Sequence, residues 1–120
     1  MTTAPIVIFL YRRPDHTKRL LACLDACYRA YPVDHPVVIY IDGPRQTEDL
    51  PQVEEVRRIV QEWKAATAYT DVTIHAAERN RGLAVSVIEG VTAVVGEYGR
   101  VIVLEDDLVL TPDALDYFER

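Results

Sequence analysis

With 120 residues, 49% of them hydrophobic and 27% charged, the chain has the size and composition of one globular domain able to bury a core without disulfides or a structural metal. Its formal net charge of −6 excludes a general affinity for nucleic acid, which requires clustered Lys and Arg to displace counterions. The apolar run from Ile6 to Leu10 is too short to span a bilayer, and Arg12 and Arg13 stand where a signal peptide would carry small residues, so the expectation is a cytoplasmic protein with no membrane segment.

Pro5 to Leu10 is a continuous apolar run rich in branched residues, the pattern of a strand covered on both faces. From about Asp15 to Ala30 a helix is predicted: Leu20, Leu24, Cys27 and Tyr31 recur at three- and four-residue steps, and Asp15 is placed to accept from the free amides at its start. Cys23 and Cys27 lie on that helix with no second cysteine pair to complete a zinc site, and are read as packing thiols. Val37 to Ile41 repeats the buried-strand signature and is broken by the turn cluster Asp42, Gly43 and Pro44.

Pro51 suits a first helical turn, and Val53, Val56, Val60 and Trp63 form one apolar stripe of a second helix. Val72 and Ile74 alternate with Thr73 and His75, which predicts a short, half-buried strand near a sheet edge. After the polar loop Asn80, Arg81, Gly82, the spacing of Ala84, Val87, Ile88, Val91 and Val95 predicts a buried third helix ending near Gly96 to Gly99. Val101 to Leu104 is a fourth strand, followed at once by Glu105, Asp106 and Asp107; Thr111 and Pro112 then open a further helix.

Alternating strands and helices predict an α/β fold, a Rossmann-like parallel sheet with helices on both faces. Ligands of such sheets bind beyond the carboxyl ends of the strands, and the unusual polar residues fall there: Arg12 and Arg13, Asp42, Asn80 and Arg81, and Glu105 to Asp107.

Three adjacent carboxylates at the end of a buried strand repel one another, and a divalent cation is the simplest compensation; a solvated acidic turn is the plainer alternative. Hard oxygen ligands favour Mg²⁺ or Mn²⁺. Alternation puts Glu105 and Asp107 on one face and Asp106 on the other, so the three divide their work between metal and hydroxyl groups. Arg12 and Arg13 are candidates for a diphosphate, or a solvent-facing loop; Asp42 for a base imide or ribose hydroxyl, or a common Asp-Gly-Pro turn; Asn80 and Arg81 for a diphosphate approached from the third helix, or a plain helix-start loop. His16, His35 and His75 have no spacing that suggests joint ligation.

The stretch from Val101 through Glu105-Asp106-Asp107 to Phe118 closely resembles the acidic metal segment of GT-A-fold glycosyltransferases, most of all the N-acetylglucosaminyltransferase I type, with broader similarity to family 2 glycosyltransferases. The resemblance covers essentially the whole chain, and implies residues 1–120 as one nucleotide-sugar-binding domain, the donor half of a longer enzyme whose acceptor site and general base follow the acidic motif. It further implies a UDP-sugar donor, an acceptor hydroxyl of unknown identity, Asp107 as metal ligand, Glu105 and Asp106 at the nucleotide-sugar, Asp42 at the uracil and Arg13 near the phosphates. The competing expectation is a non-catalytic Mg²⁺-binding α/β regulatory or binding module of receiver type, though such domains place their acidic pair after the first strand, where this chain has arginines. An open edge on the fourth strand leads to an expectation of homodimers.

Overall fold

Five consecutive buried side chains, Ile6–Leu10, make the first strand (β1) the interior of the sheet, as its uninterrupted apolar run requires. The computed structural model describes residues 3–98 and 101–105. Their order is β1, α1 (Pro14–Ala30), β2 (Val37–Ile41), a 3₁₀ turn (Thr47–Asp49), α2 (Leu50–Ala66), β3 (Val72–Ala76), α3 (Leu83–Tyr98) and β4 (Ile102–Glu105). The four strands form one parallel sheet in the order β3-β2-β1-β4. The α/β, Rossmann-like architecture expected from the alternation of periods is thus present.

The chain steps outward from β1 to β2 to β3, then returns through α3 to pair β4 on the other side of β1. Crossovers of one hand that travel in opposite directions put their helices on opposite faces. Accordingly α1 and α2 cover Ile6, Ile8, Leu10, Val37, Ile39, Ile41 and Leu104, while α3 lies over the Val7, Phe9 and Tyr40 face. The order reverses at β1, which is where an open sheet of this kind leaves a crevice at its carboxyl end.

Each helix carries its apolar residues at the spacing its packing needs. In α1, Leu20, Leu24 and Cys27 are buried, and truncating such a leucine costs about 2–5 kcal/mol through lost burial and the cavity left behind. Tyr31, expected in the same stripe, is 46% exposed because the helix ends at Ala30. Asp15 does not cap: the N-cap is Arg13 with no side-chain hydrogen bond, Pro14 opens the first turn, and Asp15 within it favours the positive end of the helix dipole. Val53, Val56, Ile59, Val60 and Trp63 form the buried side of α2. Asp25 of α1 accepts from Trp63 Nε1 at 3.1 Å and from Thr67 Oγ1 at 2.7 Å, which binds the two helices together away from the strand carboxyl ends.

β3 lies at the edge with one of its five side chains, Val72, buried, as expected of a half-buried edge strand. Of the apolar stripe expected on α3, Val91 packs partly buried against the Val7 and Phe9 cluster beside buried Val94, Val95 is 38% exposed, and the side chains of Ala84, Val87 and Ile88 lie outside the described residues. Glu105, predicted to follow the fourth strand, belongs to β4 and pairs opposite Phe9. Asp106, Asp107 and the helix expected from Thr111 and Pro112 lie outside the described residues. Among the described residues no helix is long and apolar enough to cross a membrane.

Candidate functional site

At the carboxyl ends of the strands opens a cleft of about 1240 Å³, and Arg13, Asp42, Asn80, Arg81 and Glu105 all line it. Residues that the sequence scatters over more than ninety positions thus share one cavity. Arg12 does not belong to its lining; its guanidinium turns to Asp49, with Nη1 donating to Oδ1 at 2.6 Å.

The floor is one row of the sheet. His75, Tyr40, Phe9 and Glu105 are register partners on successive strands, so their side chains project to the same face, the one that carries α3. The rings stack: Phe9 on Tyr40 with centroids 5.4 Å apart, Tyr40 on His75 at 4.8 Å. Burial pushes the Tyr40 hydroxyl above the ordinary phenol range. Gly90 lets α3 approach this row, since a Cβ there would stand 2.9 Å from the Tyr40 ring and 3.1 Å from that of Phe9. Glu105 ends the row as an exposed carboxylate on the cleft.

The rear wall is fastened by Asp42. One carboxylate oxygen accepts the Gly43 and Arg81 amides at 2.8 and 2.9 Å; the other accepts Asn80 Nδ2 at 3.1 Å and the Gly82 amide at 3.2 Å. Four donors use the acceptor capacity of a carboxylate, so Asp42 joins the end of β2 to the loop that follows β3. Gly43 makes that closeness achievable, because a Cβ there would lie 2.6 Å from the backbone of Arg79. Gly82, with φ of 82°, turns the loop into α3 in a conformation that disfavours other residues.

The cleft is charged on both sides. Its cations, Arg13, Arg45, Arg79 and Arg81, are all arginine, the side chain whose planar fork suits phosphate oxygens. Arg81 forms an ion pair with Glu89 of α3; both are about half exposed, so water and salt keep the pair weak and an incoming anion can compete for the guanidinium.

Sequence patterns missed the group behind the front wall. Tyr11, the residue after β1, lines the cleft and donates through its hydroxyl to Asp49 Oδ2 at 2.8 Å, while the Arg45 amide donates to the same phenol oxygen at 2.9 Å. Burial, then the Asp49 hydrogen bond, raises the Tyr11 hydroxyl above its ordinary range; the Tyr11 hydrogen bond, aided by Arg12, holds the Asp49 carboxyl below its own. Tyr11 had the signal of standing at a strand end. Asp49, immediately before Leu50 and Pro51, looks in sequence like a helix cap, although its side chain caps nothing.

Among the described residues no three His, Cys, Asp or Glu side chains converge to hold a metal. The described member of the acidic run, Glu105, offers oxygen to the cleft, a donor type that suits a hard divalent cation, and Asp106 and Asp107 follow it in sequence.

Open parallel α/β sheets bind small ligands at the switch-point crevice, and the polar residues gathered there make this cleft the candidate site. The chain matches the profile of Glycosyl transferase family 2 over residues 6–118, and it belongs to that family. It is therefore a glycosyltransferase domain of the class that uses nucleotide-sugar donors. Among individually curated proteins none matches the chain.

Proposed function

We propose that the cleft takes a uridine diphosphate sugar with Mn²⁺ or Mg²⁺, and that this domain supplies the donor site for transfer of the sugar to an acceptor hydroxyl, in the manner of the N-acetylglucosaminyltransferase I type. The observation that carries the reading is the meeting of Arg13, Asp42, Asn80, Arg81 and Glu105, from four separate chain segments, on one cleft at the point where strand order reverses.

In this reading Arg13 and Arg81 meet the diphosphate, supported by the amides at the start of α3. Arg81 exchanges Glu89 for phosphate when it does so. Glu105 and Asp106 contact the nucleotide-sugar and Asp107 holds the metal. Asp42 stands where the uracil contact is expected, and to accept the imide it must release one of its present donors. The metal, when bound, offsets the charge that grows on the departing diphosphate. The general base that deprotonates the acceptor is assigned to no residue described above.

Titration calorimetry with UDP and UDP-sugars, with Mn²⁺ and with chelator, tests the proposal. Binding that requires the metal and is lost in Asp107→Ala supports it; binding that is absent, or indifferent to metal, rejects it. The outer edge of β4, unpaired among the described residues, further suggests association with a second copy. Sedimentation showing only monomer at high concentration excludes that addition.

A further inference from the structure

The cleft has a component that belongs to neither the arginines nor the acidic run. Asp49 is a carboxylate only 3% exposed, placed by the 3₁₀ turn behind the β1–α1 loop. Burying a charge is costly unless donors surround it. The donors here are the Tyr11 hydroxyl at 2.8 Å and Arg12 Nη1 at 2.6 Å. Both belong to consecutive residues just beyond β1, and one of them lines the cleft.

The consequence is that Tyr11 is immobilised from several directions. Its hydroxyl is held between the Asp49 carboxylate and the Arg45 amide, and the Arg12 guanidinium, anchored by the same carboxylate, lies over its ring 5.8 Å from the centroid. An aromatic ring fixed in this way loses little freedom when a planar ligand stacks on it, and so returns more of the contact as affinity.

We infer that Asp49 is a positioning residue that acts through Tyr11, presenting the phenol ring as a rigid stacking surface for the base of the bound nucleotide, with Arg12 as backing for that ring. The inference rests on the nucleotide reading of the cleft given above. It also explains why Arg12 and Arg13 diverge: Arg13 lines the cleft, while Arg12 serves the wall from behind.

The test compares two probes, UDP and inorganic pyrophosphate, each titrated into the full chain at constant Mn²⁺. Asp49→Ala is expected to weaken UDP about tenfold while pyrophosphate affinity stays unchanged, since stacking contributes only where a base is present. Tyr11→Phe, which keeps the ring and loses its tether, is expected to weaken UDP in the same way, and the double variant no more than either alone. Asp49→Asn keeps an oxygen that can accept from the phenol and is expected to recover most of the UDP affinity, which also guards against misfolding of the alanine variant.

Equal losses for UDP and pyrophosphate, additive effects in the double variant, or unchanged UDP affinity in a folded Asp49→Ala would each overturn the inference while leaving the nucleotide site intact. Failure of the unaltered chain to bind UDP would instead overturn the nucleotide reading, and this inference with it.

Discussion

Asp42 and Asn80 stand 38 residues apart, yet the Asn80 amide donates to the Asp42 carboxylate at 3.1 Å and, with the backbone of the loop it belongs to, ties the end of β2 to the entrance of α3. The rear wall of the cleft is therefore a property of two loops joined by two side chains, since Asn80 Nδ2 also donates to the Gly43 carbonyl at 3.1 Å.

Asp42→Ala should release that joint. The Gly43, Arg81 and Gly82 backbone amides lose their acceptor while Asn80 Nδ2 keeps only the Gly43 carbonyl, an unsatisfied-donor cost of about 1–3 kcal/mol after water compensates the exposed ones. Urea denaturation would register the loss. Hydrogen exchange should quicken at the Arg81 and Gly82 amides while the amides of β1 keep their protection.

Gly43→Ala places a methyl 2.6 Å from a backbone carbon, where no side-chain rotation gives relief, so the two loops must part. Nucleotide affinity is expected to fall at least as far as thermal stability does. Gly82→Ala adds no clash but occupies a left-handed conformation at a cost of about 1–2 kcal/mol, and should show chiefly as a lower Tm.

Glu89→Gln removes the carboxylate that neutralises Arg81. The variant should bind pyrophosphate about threefold more tightly at low salt, a modest gain because the pair is solvent-screened, and the difference should vanish as ionic strength rises. Titrations at two salt concentrations measure it.

Much of the fold was legible because its signals are local. Uninterrupted branched runs marked β1 and β2, alternation marked β3 as an edge, and three- and four-residue spacing found α1 and α2. For α3 the spacing of its apolar residues predicted burial, and Val91 is partly buried while Val95 is exposed; apolar side chains at a surface are common enough that spacing alone cannot assign the environment of each. At the site, strand-end position singled out Arg13, Asp42, Asn80, Arg81 and Glu105, which line one cleft, and equally Arg12, which does not. It was no guide to partners. The bond between Tyr11 and Asp49 crosses 38 residues, and the stacking of His75 on Tyr40 depends on which strand lies beside which, so neither leaves a trace in any short window. Adjacent Arg12 and Arg13 likewise look equivalent until Asp49 claims one of them.

Alkaline stability provides an independent check on the packing. Burial, foremost, raises the hydroxyl of Tyr69, which donates to the Leu24 carbonyl at 3.0 Å; Tyr11 and Tyr40 are raised as well. A phenol raised by folding contributes stability that is complete below the unfolded value of 10.0 and is lost as pH climbs above it. Denaturation midpoints should thus be flat with respect to these groups at neutral pH and drop beyond about pH 10, and Tyr69→Phe should drop less steeply over that interval.

Trp63, the only tryptophan in the chain, is hydrogen-bonded to Asp25 between α1 and α2, on the face of the sheet opposite α3 and outside the cleft lining. Its fluorescence consequently reports whether the two-helix layer is assembled and stays silent to occupancy of the cleft. Emission and calorimetry on the same sample would then separate a variant that has lost its ligand from one that has lost its shape.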